Sequence, residues 1–241
     1  MRPSPVIVSL IGFLIAHSVI AEEPNKQLLI KRVKEIVPNA EISSVNASPV
    51  AGLYEVIVGK SDIVYMSADG RFMLKGDLLD LNDRRNLTEE RRGEARLNTL
   101  KSINPKTMIE FAPANAKHVI YVYTDVDCTY CRRFHQEVGV LNQAGITVRY
   151  LAFPRAGTGS ESFRKTVSVW CAKDRNTALT EAKLGKDIPS ATCDNPVKAH
   201  YESGITVGVK GTPTIILESG EELGGYVPAE KLVQYVKGSA S

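Results

Sequence analysis

The sequence predicts a mixed α+β and α/β protein: a small helix-plus-antiparallel-sheet unit, a linker helix, then a larger α/β unit. Three observations carry this. One amphipathic stripe followed by short extended runs and turn residues fills the first third; a charged, apolar-poor stretch spans 82–102; and from Lys106 onward strands alternate with helices. No internal repeat is visible. Of 241 residues, 43% are hydrophobic and 24% charged, which excludes disorder and collagen-like structure.

Residues 1–21 carry a single charge, Arg2, and an apolar run from Val6 to Ile15 that continues more mildly to Ile20. This is the pattern of a secretory signal peptide cleaved near Ala21. His17 and Ser18 interrupt the run, which favours cleavage over a retained anchor. Removing the leader lowers the formal net charge from +3 to +2, and so small an excess leaves no electrostatic footprint for nucleic acid. Export makes disulfide chemistry available to the four cysteines.

After Pro24, Leu28, Leu29, Val33, Ile36 and Val37 form a helical stripe that Pro38-Asn39 ends. Extended runs at Glu41 to Ser48, Leu53 to Val58, Ile63 to Met66 and Phe72 to Leu74 follow, separated by turns at Pro49, Gly59-Lys60-Ser61-Asp62 and Ala68-Asp69-Gly70. A unit over 22–82 of this size has exposed strand edges, and pairing with a second copy would cover them. Asn82 to Ser102 mixes Arg84, Arg85, Arg91, Arg92 and Arg96 with Glu89, Glu90 and Glu94. It reads as a solvated linker helix over 83–104, because acids alternate with the bases in a way that suits solvent better than a nucleic-acid arm.

The third unit, 105–241, is expected to run as a strand Thr107 to Phe111, a strand Val119 to Tyr123 and a helix Thr129 to Gln143 ended by Gly145. A strand Ile146 to Phe153, helical material over Ser160 to Leu184 and Pro196 to Gly204, strands at Thr214 to Glu218 and Glu221 to Gly224, and a helix Pro228 to Val236 complete it. Between the second strand and the first helix lies Cys128-Thr129-Tyr130-Cys131. A C-x-x-C directly after a hydrophobic strand and opening a helix reads as a thioredoxin-like redox motif. Unpaired N–H groups and the dipole at a helix start favour a thiolate, and the thiolate is the nucleophile in disulfide exchange. Cys128 is therefore expected to be the exposed, acidic thiol and Cys131 the protected one, with Arg132 and Arg133 adding positive potential. A zinc site would need further ligands. Cys171 and Cys193 are 22 positions apart and His118 precedes the strand at its opposite end, so no metal or other cofactor is expected. Gly211-Thr212-Pro213-Thr214 places a proline between a glycine-containing turn and a β-branched strand start, a candidate cis bond.

From Lys117 onward the chain resembles the thioredoxin superfamily, and the whole mature chain resembles the periplasmic disulfide isomerases of Gram-negative bacteria, the DsbC type. The resemblance rests on KHVIYVYTDVDCTYC, GITVRYLAFPR, VWCAKD, GVKGTPTIIL and the small N-terminal unit with its linker helix, in that family's order. It implies Cys128 as nucleophile, Cys131 as redox partner, and Thr129, Tyr130, Thr212 and Pro213 as substrate-contacting residues. It further implies a homodimer joined through the N-terminal units, misfolded exported proteins as substrates, a DsbD-type membrane reductant as electron donor, and a periplasmic location. It also places a non-catalytic bridge at Cys171 and Cys193, the one pairing left of three once the C-x-x-C is assigned, worth about 3 kcal/mol in the chain-entropy account. Two features depart from the pattern. Thr129-Tyr130 stands where Gly-Tyr is common, and Val122 occupies the position of a buried acid in thioredoxin itself, so the group that handles the Cys131 proton is not identified.

An oxidase of the same fold and a holdase with secondary cysteines are the alternatives to an isomerase. His135, one turn beyond Cys131, fits a surface or packing role better than that of a base. Phe163, Val167 and Trp170 have the spacing of core residues. With aromatics at 7%, substrates are expected to be held by main chain and aliphatic surface.

Overall fold

Asn25, whose side chain accepts a hydrogen bond from the Leu28 N–H at 3.0 Å, caps the helix that opens the described chain. That chain comprises residues 25–238 of a computed structural model; the leader assigned to residues 1–21 lies outside it. Helix α1 (Lys26–Ile36) lays Leu29 and Val33 on a sheet of β1 (Ile42–Ala47), β2 (Leu53–Val58), β3 (Asp62–Ser67) and β4 (Met73–Leu74). The sheet is antiparallel in chain order, and Val45, Tyr54, Val56, Val64 and Met66 fill its core. A separate two-stranded hairpin, β5 (Leu79–Asp80) with β6 (Arg85–Asn86), follows.

Helix α2 (Leu87–Lys101) departs from the solvated linker expected of it, for it buries Thr88, Gly93, Arg96 and Leu100. The reason is a close backbone approach. At Gly220, which has φ +85°, an added Cβ would lie 2.4 Å from the Gly93 carbonyl oxygen. The contact brings Arg96 within 3.0 Å of the Gly220 carbonyl, and its guanidinium pairs with Glu89 and Glu222 at 2.5 and 3.2 Å. The charges that suggested a solvated face are thus partly a dock onto the second unit.

That unit begins with a 3₁₀ turn (Pro105–Thr107), which delays the first strand to β7 (Ile109–Phe111). There follow β8 (His118–Thr124), α3 (Thr129–Gln136), α4 (Val138–Gln143), β9 (Ile146–Ala152), α5 (Glu161–Trp170) and α6 (Arg175–Lys183). The chain closes with α7 (Val197–Val207), β10 (Thr214–Ile216), β11 (Glu222–Gly224) and α8 (Ala229–Gly238). The sheet order is β11-β10-β8-β9-β7, with β8 and β9 parallel and the other pairs antiparallel. Strand alternation feeds two cores: Ile120, Val122, Val148 and Tyr150 pack with Phe134, Leu141 and Leu232, while Tyr123, Leu151 and Ile216 pack with Leu100 and Val207. Cys171, at the end of α5, is bonded to Cys193, with an S–S distance of 2.07 Å.

The expected single helix over Thr129 to Gln143 is two helices, broken at Glu137. Its N–H bonds back to the Phe134 carbonyl in 3₁₀ fashion at 3.1 Å. Its carboxylate accepts hydrogen bonds from the Tyr226 hydroxyl and, at 2.7 Å, from the Ala229 N–H at the start of α8. A distant helix start therefore holds the kink.

Candidate active site

Strand β8 ends at Thr124, and the loop Asp125-Val126-Asp127 leads into α3 with Cys128 as its N-cap. The Cys128 sulfur accepts from the Cys131 N–H at 3.4 Å, the helix-start interaction that stabilises a thiolate. Antiparallel pairing of β10 with β8 sets Thr214 opposite Tyr123, so the residues just before Thr214 arrive beside the cysteine loop. The Thr212-Pro213 peptide is cis, and Cys128 Sγ lies 3.2 Å from the Thr212 carbonyl oxygen, to which it donates when protonated.

This loop overturns one expectation. Cys128 is not exposed: only 2% of it meets solvent, against none of Cys131, because the chain at Thr212-Pro213 lies over the sulfur. What separates the two cysteines is charge preference. The Cys131 side chain, then Thr212, the Cys131 N–H and Arg155 favour the Cys128 thiolate against the effect of burial, holding its pKa at about 5. Burial, followed by the neighbouring Cys128, pushes Cys131 well above the ordinary thiol range. Arg155 is a positive group acting on Cys128, while Arg132 bonds the Val126 carbonyl and Asp127, and Arg133 lies over the Tyr226 ring at 4.6 Å.

Around the sulfurs stand groups that sequence patterns missed. Asp125 is buried, which alone would raise its pKa. Hydrogen bonds from the Ser162 hydroxyl at 2.6 Å, from the Arg155 and Asp127 N–H groups at 2.9 Å, and from the Arg155 guanidinium at 3.2 Å reverse this and hold it low. Asp125 and Arg155 follow the C-terminal ends of the two parallel strands, the place where sites gather in open α/β sheets; that is the signal that could have found them. Lys183, the last residue of α6, is 3% exposed, and its Nζ donates to Thr124 Oγ1 and to the Asp125 carbonyl, each at 2.7 Å. It is the one lysine of α6, and nothing in the local sequence pattern marks it as buried.

Of the residues singled out beforehand, Cys128, Cys131, Thr212 and Pro213 converge. Thr129 and Tyr130 stand exposed at the rim, with the Tyr130 ring stacked on Tyr226 at 6.4 Å between centroids. Cys171 and Cys193 belong to the α5 to α7 insertion. His135 is packed between the Tyr150 hydroxyl and Thr180 Oγ1, both at 3.0 Å, and burial lowers its pKa to about 4.

A family model described as the disulfide bond isomerase protein N-terminal domain matches residues 20–89, and a thioredoxin-like domain model matches residues 105–239. The thiol:disulfide interchange protein DsbC of Escherichia coli K12 is 36% identical over 201 residues, covering 80% of each chain. That of Haemophilus influenzae is 36% identical over 210 residues, covering 86% of this chain and 90% of the other. Among solved structures, a disulfide interchange protein from Neisseria gonorrhoeae aligns at a TM-score of 0.50 with 28% identity, covering 56% of this chain and 99% of that one.

Proposed function

The chain belongs to the DsbC family of thiol:disulfide interchange proteins, and from that premise we propose that its disulfide isomerase and reductase activity runs through Cys128 as nucleophile and Cys131 as redox partner. The observation that carries the assignment is the asymmetry of the pair: Cys128 caps α3 and its sulfur accepts from the Cys131 N–H, an arrangement that favours a thiolate, while Cys131 lies one turn in, where burial favours the thiol.

The Cys128 thiolate attacks one sulfur of a wrong disulfide, forming a mixed disulfide and expelling the other sulfur as a thiolate. If a substrate thiolate then attacks the mixed disulfide, Cys128 leaves unchanged and the substrate has isomerised. If Cys131 attacks Cys128 Sγ instead, the substrate leaves with two thiols and the protein is left with a Cys128–Cys131 disulfide. A dithiol reductant of the DsbD type would then restore it. Thr212 and Pro213 would offer main chain to the bound substrate, with Thr129 and Tyr130 at the rim, and Cys171–Cys193 would brace the insertion.

The proposed division is a leader at 1–21, a dimerisation unit at 22–82, a linker at 83–104 and the catalytic unit at 105–241. Pairing of two copies is supported by the open edge of the small sheet, where Phe72 and Leu74 are exposed on and beside β4 and Leu79 and Leu81 follow. Action in the periplasm on exported proteins with wrong disulfides fits the leader and the family. No helix among the described residues is long and apolar enough to cross a membrane.

Cys128→Ser tests the assignment. It should abolish both reduction of insulin and rescue of a scrambled multi-disulfide protein, whereas Cys131→Ser should accumulate mixed disulfides. A wild type with no Cys128-dependent reduction or rescue, and suppression of aggregation that Cys128→Ser leaves unchanged, would instead assign the protein to chain binding, with secondary cysteines.

A further inference from the structure

Lys183 is a buried lysine without a carboxylate partner among the described residues. Asp125, an acid whose charge acts on Lys183, has its carboxylate taken up by Ser162, Arg155 and backbone N–H groups, and the hydrogen bond it accepts from Lys183 is at its main-chain carbonyl. The second contact of the amine is Thr124 Oγ1. Lys183 has only N–H donors, so Thr124 Oγ1 accepts from it and keeps its own hydroxyl proton for another acceptor; a hydrogen bond from Thr124 favours the Cys131 thiolate. The result is a directional chain from Lys183 Nζ through Thr124 Oγ1 to Cys131 Sγ.

The remaining charges around this chain largely cancel. Arg155 answers Asp125, and Arg132 answers Asp127. His135 on α3 is neutral near pH 7, and Tyr150 on β9 keeps its proton because burial raises its pKa. Burial draws Lys183 below the ordinary lysine range, and negative charge at Cys131, Asp125 and Cys128 opposes this. Ammonium and thiolate therefore favour each other across the Thr124 hydroxyl.

We propose that Lys183 is a positioning residue for the release step: acting through Thr124, it favours negative charge on Cys131 as that sulfur attacks the mixed disulfide at Cys128. In the step, the Cys131–Cys128 bond forms, the bond from Cys128 to the substrate sulfur breaks, and the Cys131 proton leaves to the departing thiolate or to solvent. The electrons of the broken S–S bond depart with the substrate sulfur. This assignment fills the place left by Val122 and rests on the reading of Cys128 and Cys131 given above.

Removing an opposite charge from a buried acid shifts its pKa by about 1–3 units. Intrinsic thiolate nucleophilicity rises with pKa at roughly half that slope and offsets part of the loss. The net effect on the Cys131 step near neutral pH is therefore a slowing by a factor of about 3–30.

The test uses the full-length reduced protein and the symmetrical disulfide of thionitrobenzoate, which releases one coloured thiolate when Cys128 attacks and a second when Cys131 resolves the adduct. In Lys183→Met, the ratio of second-phase to first-phase rate should fall by a factor of about 3–30. The pH midpoint of the second phase should also move up, and Lys183→Arg should restore both toward wild type. Replacing a buried charge by an apolar side chain of similar length is often neutral or stabilising, so slower release is expected without loss of thermal stability. If the methionine variant does not fold, Lys183→Gln keeps an N–H donor for Thr124, removes the charge and carries the same expectation. An unmoved rate ratio and midpoint, or an arginine variant no better than the neutral ones, would overturn the proposal. Absence of a Cys128-dependent first phase in the wild type would overturn the underlying site assignment instead.

Discussion

Cys128 and Cys131 lie three residues apart on one helix, yet the regions around their sulfurs are tuned in opposite directions. At the mouth of the site, the Cys131 side chain, then the Thr212 side chain, the helix-start N–H of Cys131 and Arg155 favour negative charge on Cys128. On its floor, burial beneath the sheet end favours the neutral thiol of Cys131. Exposure does not make the difference, since both sulfurs are nearly covered. The comparison teaches that hydrogen bonds and charge overcome burial at Cys128 while burial prevails at Cys131, and that each sulfur is among the groups that tune the other.

The largest expected break is Cys128→Ser, which should bring insulin reduction down to the uncatalysed rate. Cys131→Ser should preserve the first attack, seen as a trapped adduct by mass spectrometry. If the two variants behaved alike, the division between mouth and floor would be lost.

A second test separates the site from its scaffold. Replacing both Cys171 and Cys193 by Ala should lower unfolding free energy by about 3 kcal/mol, measured by denaturant titration. Because the bridge belongs to the α5 to α7 insertion, the alkylation pH profile of Cys128 should stay where it is. A moved profile would couple the scaffold to the mouth.

A third removes pairing without touching either sulfur. Phe72→Asp with Leu74→Asp should shift sedimentation to the monomer and reduce rescue of a scrambled substrate more than reduction of insulin. Equal losses, or a wild type that is already monomeric, would refute a role for pairing in isomerisation.

The smallest effect is expected from Arg155→Met. The side chain of Arg155 is half exposed, so water screens much of its charge. The Cys128 midpoint should rise by less than about one pH unit, as read from alkylation rates.

Much of the mouth was legible in the sequence because its determinants are local. Cys128 follows a β-branched strand and opens a helix, and Pro213 precedes another such strand. Each pattern lies within a dozen residues. The floor was not legible, because it is assembled from distant segments: Lys183 reaches Thr124 across 59 positions and Ser162 reaches Asp125 across 37. The same applies to the break at Glu137, held by partners about 90 positions away, and to the dock of Gly93 on Gly220. Hydrophobic periodicity reports which face is buried, not which polar group another element will supply. The supposed exposure of Cys128 failed for this reason: the loop that covers it is 84 positions distant.

Ionisation of Cys128 is the most direct test of the account. Its folded pKa, about 5, lies below the ordinary value of 9.0. The folded reduced protein therefore gains stability that is complete above pH 9 and is lost as pH falls to 5. The protein with a Cys128–Cys131 disulfide lacks that contribution, so the reduced form should gain on the oxidised form as pH rises from 5 to 9. The decisive measurement is the alkylation rate of each cysteine in the reduced protein against pH, resolved by peptide mass spectrometry. The expected result is labelling of Cys128 with a midpoint near pH 5, while Cys131 stays unlabelled through neutral pH. A Cys128 midpoint between pH 8 and 9, or labelling of both sulfurs at similar rates, would contradict the account.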